Sequence, residues 1–495
     1  MQTELSRLQM TQSTFSETSS IGDTKQLVTD EPEKDDKSRS GIPMTSFNMV
    51  NSIVGSGVIG IPYAFKQSGF ALGVILLIVT GIITGNTSGL ILLIVTGIIT
   101  GNTSGLILLI VTGIITDYSI LLLVEGGRLS NTDTYQDVVL VAFGRPGFYL
   151  LTLLQFLYPF IAMISYNVVI GDTITKVLLR IGGDNLVNTV LVNRQFIIFL
   201  STLLVNLPLS LYRDIAKLSK WACASVLLIL FIIICVCVRV PDFEHVRSTP
   251  DAWDFASYNF AQSIGIMTFA YMCHHNTFLI HESLENPTER RWKIVTHMSV
   301  VFAMAIMLVI GIVGYATFTG YTQGDLLENY CEVDDLMNVA RFIFAITIMM
   351  TYPVECFVTR HVIENAFFAS SEKSPLWRHF CITAAVAAVT VVVSMSTDCL
   401  GIVLTFNGVA VACPIAFILP PICVMKLRQE PVLSKANILP IFICVFGIIV
   451  FIVGFTVAII NLSEGIECSH GKEMFYCKPE FIGNGSIVLP SNFTL

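Results

Sequence analysis

Long apolar runs constrain the fold of this chain more than any other feature of its sequence. Each run approaches the roughly 20 apolar residues that a helix needs to cross a bilayer. With an internally repeated second run counted once there are eleven, at residues 46–66, 71–84 continued by 117–127, and about 148–174, 195–212, 216–238, 259–281, 297–319, 337–358, 380–396, 400–424 and 437–461. The mean hydropathy is +0.73 and only 13% of the residues are charged. The sequence therefore predicts an all-α polytopic membrane protein, with the membrane domain at residues 45–461.

The charged and reactive residues exclude several classes of function. The net charge is -8 and no basic stripe with interleaved aromatics is present, so nothing points to nucleic acid. The sequence has no zinc-type Cys/His spacing, nucleophile elbow or phosphate loop, and no cofactor is expected. It also lacks a selectivity filter and a voltage-sensor arginine ladder. These absences argue against an enzyme or a channel.

The second apolar run contains an exact tandem repeat. ILLIVTGIIT occurs at 75–84, 91–100 and 107–116, separated each time by GNTSGL, with a period of 16 residues. Identical short copies indicate a recent duplication, whereas solenoid repeats diverge. We assign residues 85–116 as the insertion and predict a re-entrant pair or a long kinked helix. The Gly-Asn-Thr-Ser-Gly breaks favour the re-entrant pair.

The distribution of charge predicts the orientation in the membrane. Residues 1–44 are polar and are predicted to form a disordered cytoplasmic tail. With this tail inside, most Lys and Arg residues of the loops also lie inside, as the positive-inside rule requires. The segment 320–336 carries five acidic residues and no Lys or Arg, so we expect it outside.

An odd number of spans places the C-terminal tail, residues 462–495, on the outer or lumenal face. Asn484 and Asn492 lie in glycosylation sequons and are predicted to be modified there. Cys468 and Cys477 could pair in an oxidising lumen.

The first span is interrupted at membrane depth. Gly55, Ser56 and Gly57 lie in the middle of the apolar run SFNMVNSIVGSGVIGIPYAFK. Irregular backbone survives in a bilayer only where it is buried in protein or lines a polar cavity. Freed amides at such a break can meet a carboxylate, and freed carbonyls can bind a small cation, as in many secondary transporters.

A second break is predicted in the sixth span, at TFAYMCHHN, residues 268–276. If spans one to five and six to ten are inverted repeats, this span corresponds to the first, and two matching interrupted spans point to a binding site at the midplane. His274 and His275 are either proton sensors or side chains at the membrane interface, and the second interpretation is favoured.

Three polar residues within the spans are candidate ligands of a sodium ion. Asn51 lies one turn before the first break, and Thr347 and Thr351 share one face of the eighth span, with Glu355 just beyond. Each has an alternative role. Asn51 can form an interhelical hydrogen bond, and each threonine hydroxyl can bond to the carbonyl four residues earlier.

The motifs FNMVNSIVGSGVIGIPYAFKQSGF, ITDYSILLLVEGG, GYATFTG and MTYPVECFVTR resemble those of the sodium-coupled neutral amino acid transporters of the amino acid/auxin permease family. The resemblance covers about residues 45–461, apart from the insertion. It implies a LeuT-like fold, in which two inverted five-helix repeats are followed by an eleventh transmembrane helix.

The resemblance also assigns roles to particular residues. Asn51 and Thr351 match the sodium-binding positions of the family, and Thr347 lies on the same face as Thr351. The backbone of Gly55, Ser56 and Gly57 corresponds to the site of the substrate carboxylate. Phe269, Ala270 and Tyr271 correspond to the surroundings of the substrate's amino group and side chain.

The sequence thus predicts a sodium-dependent secondary active transporter of neutral amino acids such as glutamine or alanine, modulated by protons or exchanging them. Sodium is the coupling ion and no other cofactor is implied. The alternatives are an amino acid sensor that transports little and a proton-coupled transporter. The expected location is the plasma membrane or an endolysosomal membrane.

Overall fold

The computed structural model describes residues 39–68, 103–183, 186, 189–212, 222–244, 246, 248–249, 259–368, 375–397, 399–464 and 473–477. Within these ranges the chain forms fifteen α-helices: α1 (Ile42–Ile53), α2 (Ile61–Ser68), α3 (Thr103–Ser130), α4 (Tyr135–Gly182), α5 (Arg194–Ser201), α6 (Leu207–Ser210), α7 (Ala222–Val238), α8 (Phe260–Ala270), α9 (Thr277–Ser283), α10 (Glu289–Phe318), α11 (Asp335–Phe367), α12 (Leu376–Met395), α13 (Leu400–Phe406), α14 (Leu419–Leu427) and α15 (Ile438–Glu464).

The described part of the chain is helical, and the predicted class of a polytopic membrane protein is confirmed. Among the described residues, seven helical segments are long and apolar enough to cross a membrane: Leu108–Ser130, Tyr135–Gly182, Glu289–Tyr321, Asp335–Glu364, Leu376–Met395, Leu400–Leu427 and Lys435–Ser463. The other predicted runs coincide with the interrupted pairs α1–α2 and α8–α9 and with two shorter apolar segments. Strands are absent from the described ranges, which contain one isolated β-bridge.

The long helix α4 is two helices joined at a sharp bend. Gly144 has φ of 67° and ψ of -162° there, a conformation that glycine adopts without a steric penalty. Thr134 caps the first part by accepting a hydrogen bond from the Asp137 amide at 3.1 Å. The predicted span at 148–174 is the second part, which begins after this bend.

The third copy of the repeat forms the N-terminal half of α3. Residues 107–116 continue without interruption to Ser130, so this copy belongs to the same helix as the rest of the second span. Residues 85–102 of the assigned insertion lie outside the described residues, and the choice between a re-entrant pair and a kinked helix remains a prediction.

The predicted boundary of the N-terminal tail falls inside the first helix. α1 begins at Ile42. Just before it, the backbone of Ser40 forms a β-bridge with Leu284, the residue after α9. The Ser40 amide donates to the Ser283 carbonyl at 2.8 Å, and the Ser40 carbonyl accepts from the Glu285 amide at 2.9 Å. The first 38 residues lie outside the described part, as do Asn484 and Asn492.

A disulfide joins the loop after α10 to the C-terminal tail. Cys331 and Cys477 are bonded although 146 residues separate them in sequence. The predicted pair of Cys468 with Cys477 is therefore wrong, and Cys468 lies outside the described residues. The bond holds the acidic segment 320–336 against the described part of the tail, residues 473–477. Disulfides persist in oxidising compartments, and the location of this face outside the cell or in a lumen remains a prediction.

Candidate functional site

The first span breaks where the sequence predicts. α1 ends at Ile53, Gly55 takes φ of -105° and ψ of -143°, and a 3-10 helix, Ser56–Gly60, leads into α2. The chain is buried throughout this 3-10 helix. The break is therefore irregular backbone enclosed by protein, the situation in which a bilayer tolerates it.

The sixth span is also interrupted as predicted. α8 ends at Ala270, residues 271–273 are non-helical, and the 3-10 helix His274–Asn276 precedes α9. His274 is fully buried, and the His275 side chain is only 1% exposed. The favoured interpretation of these histidines as interfacial side chains is wrong, because the bundle encloses the break.

The two breaks lie directly against each other. A Cβ atom built on Gly57 would lie 2.7 Å from the Ala270 Cα and 3.1 Å from a ring carbon of Phe269. No real side chain sits that close to a neighbouring backbone, so the absence of a side chain at Gly57 permits the contact. Gly57, Phe269 and Ala270, which are all predicted to bind substrate, are thus neighbours.

Helix α4 contacts both breaks. Ser165 Oγ and Ser56 Oγ are hydrogen-bonded at 3.1 Å, and a Cβ on Gly55 would lie 3.4 Å from the Tyr166 hydroxyl. Tyr158 donates to the carbonyl of Phe269 at 3.4 Å. This carbonyl belongs to the last turn of α8 and also accepts from the Met272 amide at 3.2 Å.

Tyr271 points from the sixth-span break towards α3. Its side chain is fully buried, and a Cβ on Gly113 would lie 2.9 Å from its hydroxyl oxygen. The hydroxyl has no hydrogen-bond partner among the described residues. The third repeat copy, which contains Gly113, therefore packs against Tyr271, one of the residues predicted to bind substrate.

A chain of polar contacts connects the first span, the sixth-span break and α11. Asn276 Nδ2 donates to Ser52 Oγ at 3.0 Å and lies 2.9 Å from His275 Nε2. The same imidazole nitrogen lies 3.5 Å from Glu355 Oε2, and the Glu355 side chain is 8% exposed. That oxygen has no hydrogen-bond partner in the described ranges. The ring of Tyr158 packs on the imidazole with centroids 4.8 Å apart.

The predicted sodium ligands lie on α1 and α11. Asn51 Oδ1 is buried and has no hydrogen-bond partner among the described residues. Thr347 and Thr351 donate to the carbonyls four residues before them, each at 2.9 Å, which is the alternative role considered from the sequence. Their oxygen lone pairs remain as acceptors. The donor set fits a small hard cation, but no described hydrogen bond links Asn51 to either threonine, so the sodium site remains a prediction.

Comparison with known proteins identifies the family. The sequence model of the family described as "Transmembrane amino acid transporter protein" matches residues 38–98 and 96–460. The chain belongs to this family.

Individual relatives of this transporter agree with the family match. A Bos taurus protein named "Putative sodium-coupled neutral amino acid transporter 11" is 44% identical over 459 residues, which cover 92% of this chain and 90% of the relative. The Homo sapiens protein of the same name is 48% identical over 416 residues, covering 84% and 93%. "Vacuolar amino acid transporter 2" of Saccharomyces cerevisiae is 29% identical over 459 residues, covering 90% and 88%. The family resemblance inferred from the sequence motifs is confirmed.

The tenth span of the transporter packs against the sixth through glycine. A Cβ on Gly408 would lie 1.8 Å from the Gly265 carbonyl oxygen, so the two backbones touch. The chain at Asn407–Ala412 takes a π-helical turn, an irregularity often found near functional sites. Asn407 Nδ2 donates to the Tyr158 carbonyl at 3.1 Å, and its Oδ1 has no partner in the described ranges.

Some residues that position the site were not apparent from the sequence. Ser165 was overlooked because an isolated serine in an apolar run carries no periodic signal. Glu355 was noted beyond Thr351, but its approach to His275 joins elements far apart in the chain. The spacing of Thr347, Thr351 and Glu355 at every fourth residue could have indicated their common face.

Proposed function

We propose that this chain is a sodium-dependent secondary active transporter of neutral amino acids, built as a LeuT-like 5+5 inverted repeat with an added eleventh helix. The observation that carries the proposal is the contact of the two interrupted spans at Gly57 and Ala270. Interrupted first spans of two inverted halves meet in this way at a midplane binding site. The backbone of Gly55, Ser56 and Gly57 would receive the substrate carboxylate, with Phe269, Ala270 and Tyr271 around the rest of the substrate.

Sodium would bind beside the first break, at Asn51, Thr347 and Thr351. The buried and unpartnered Asn51 Oδ1 supports this assignment, because an amide oxygen in that state lacks a compensating interaction. Since sodium and substrate would share the unwound segment, each would raise the affinity for the other by the same factor. Sodium coupling of this chain is a proposal; the names of its animal relatives include the same ion.

The buried pair of His275 and Glu355 favours a second candidate, a proton-coupled amino acid transporter. Histidine and carboxylate side chains relay protons in many membrane transporters, and the proximity of these two inside the bundle supports this candidate. The location, in a plasma membrane or an endolysosomal membrane, is also a proposal. One relative is named as vacuolar.

Uptake of labelled glutamine, alanine and arginine in liposomes tests the proposal. Sodium is replaced by choline at fixed pH, and the wild-type chain is compared with Asn51→Ala. We expect uptake of the neutral substrates that requires sodium and is lost in Asn51→Ala. Uptake that ignores sodium but follows a proton gradient would favour the proton-coupled candidate. Specific amino acid binding without uptake would favour a sensor.

A further inference from the structure

The loop between α10 and α11 covers the broken first span on the disulfide-bearing face. We call residues 320–334 the capping loop. Its 3-10 helix, Leu326–Asn329, contacts the 3-10 helix Ser56–Gly60 of the first break. Gly324 lies so close to α13 that a Cβ on it would be 2.5 Å from the Gly401 amide nitrogen. The described structure is therefore closed over the break at this face.

Two buried cations hold the capping loop through its backbone. Lys176 of α4 donates to the Glu328 carbonyl at 3.2 Å, and Arg341 of α11 donates to the carbonyls of Leu327 and Tyr330 at 2.9 and 2.5 Å. Lys176 is 3% exposed and Arg341 is fully buried. Their described hydrogen bonds go to carbonyl oxygens and to Asn338.

The capping loop also contains a buried carboxyl group. Asp325 is 1% exposed. Its Oδ1 accepts from the Leu327 amide at 2.8 Å, and its Oδ2 has no hydrogen-bond partner among the described residues. The charged groups that act on it are Glu328 on its own loop, Lys176 and Asp172 on α4, and Arg341 on α11. Asp172 is itself paired with Arg194 at 2.5 Å.

The surroundings of Asp325 favour its neutral form. Burial, followed by the charge of Glu328, raises the pKa of Asp325 from 3.8 to about 7, against the opposing effects of the Leu327 amide, Lys176 and Arg341. A carboxylate exposed by an open loop would return to its ordinary pKa of about 4. The closed loop thus binds a proton over a pH range in which the open loop does not.

We propose that Asp325 is a proton-binding site whose occupancy holds the capping loop shut over the first break, so that protons on the disulfide-bearing face restrict access to the transport site. The effect on uptake rests on the proposed transport function, whereas the effect on the loop does not. As the pH rises from about 4 to 7, the open form should gain on the closed form by up to about tenfold per pH unit. Above about pH 7, Asp325 is ionised in both the open and the closed loop, and the ratio of open to closed protein levels off.

Hydrogen exchange of the full-length protein in nanodiscs measures this opening directly. Exchange is followed from pH 5 to pH 8.5 in a peptide covering residues 322–331, with intrinsic rates corrected for pH. Three proteins are compared: wild type, Asp325→Asn, and Asp335→Asn as a matched control. Asp335 is an exposed acid at the start of α11 and is paired with Arg180 on the surface. The asparagine at 325 keeps the acceptor for the Leu327 amide but cannot ionise.

We expect the corrected opening constant of wild type and Asp335→Asn to rise with pH and level off near neutrality. In Asp325→Asn it should stay low and flat. If the opening constant of the wild-type protein does not change with pH, the proposal is overturned by that result alone. A rise with pH that persists in Asp325→Asn would also overturn it. If the loop opens with pH but no amino acid is taken up at any pH, the proposed transport function fails while the proton site stands.

Discussion

His275 Nε2 lies 3.5 Å from Glu355 Oε2, and this contact joins the break in the sixth span to α11. Both side chains are buried, but the loss of the partner has a different consequence for each of them. An unpaired histidine becomes neutral readily near pH 7, whereas an unpaired buried carboxylate must take up a proton or remain as a costly charge.

Matched substitutions of this pair should therefore have unequal effects on stability. Below pH 6, His275→Gln is expected to lower the free energy of unfolding by about 3–5 kcal/mol, because it removes the imidazolium that can offset the buried Glu355 carboxylate. Glu355→Gln should cost less, and the double substitution should recover part of the loss caused by His275→Gln. Thermal unfolding of the purified variants gives the comparison. Equal losses in the two single variants would show that the pair does not carry a buried charge.

Gly57 should be indispensable for the contact between the two breaks. An alanine there would place its Cβ 2.7 Å from the Ala270 backbone, and the two interrupted segments would have to separate. We expect Gly57→Ala to abolish substrate uptake while the protein still reaches the membrane. Gly41→Ala is the control, since the nearest atom to its Cβ would be 3.9 Å away. Normal uptake by Gly57→Ala would contradict the proposed substrate site.

The disulfide between Cys331 and Cys477 should stabilise the capping loop and the C-terminal tail. It closes a chain segment of 146 residues, and its loss should lower stability by about 2–5 kcal/mol. We expect this loss in Cys331→Ser, in Cys477→Ser and in the double variant alike. Cys237→Ser, at an exposed free thiol, is the control. Mass spectrometry of the unreduced protein should find Cys331 and Cys477 in one linked peptide, and any other partner for Cys477 would refute the pairing.

The repeat offers a test in which sequence identity predicts the result. Deleting residues 85–116 fuses the first copy of ILLIVTGIIT to Asp117, and this copy is identical to the third, at 107–116. The shortened chain should therefore rebuild the same wall of α3 and retain uptake. Gly113→Val in the full chain should reduce uptake, because its Cβ would lie 2.9 Å from the Tyr271 hydroxyl. Uptake by the full chain with none by the shortened form would show that the extra copies are required.

Local sequence was enough to locate the helices and their interruptions. An apolar run of sufficient length has one stable form in a bilayer, and glycine or a polar residue within it marks where that form fails. The breaks at Gly55 and after Ala270 were therefore predictable. So was the common face of Thr347 and Thr351, since it follows from helical spacing.

The partners of particular side chains could not be predicted in the same way. Cys477 pairs with Cys331, 146 residues away, and not with the nearby Cys468. His275 is enclosed because α4 and α11 pack around it, which the polarity of its neighbours in sequence did not reveal.

The sequence by itself determined that this is a helical membrane protein, which of its spans are broken, and the family to which it belongs. Only the tertiary structure decided that Gly57 touches Ala270, that the third repeat copy lies against Tyr271, and that Asp325 of the capping loop is buried. The physical reason is the range of the interactions. Burial in a bilayer and helix breaking act over one or two turns, whereas packing and charge burial depend on which distant helices meet.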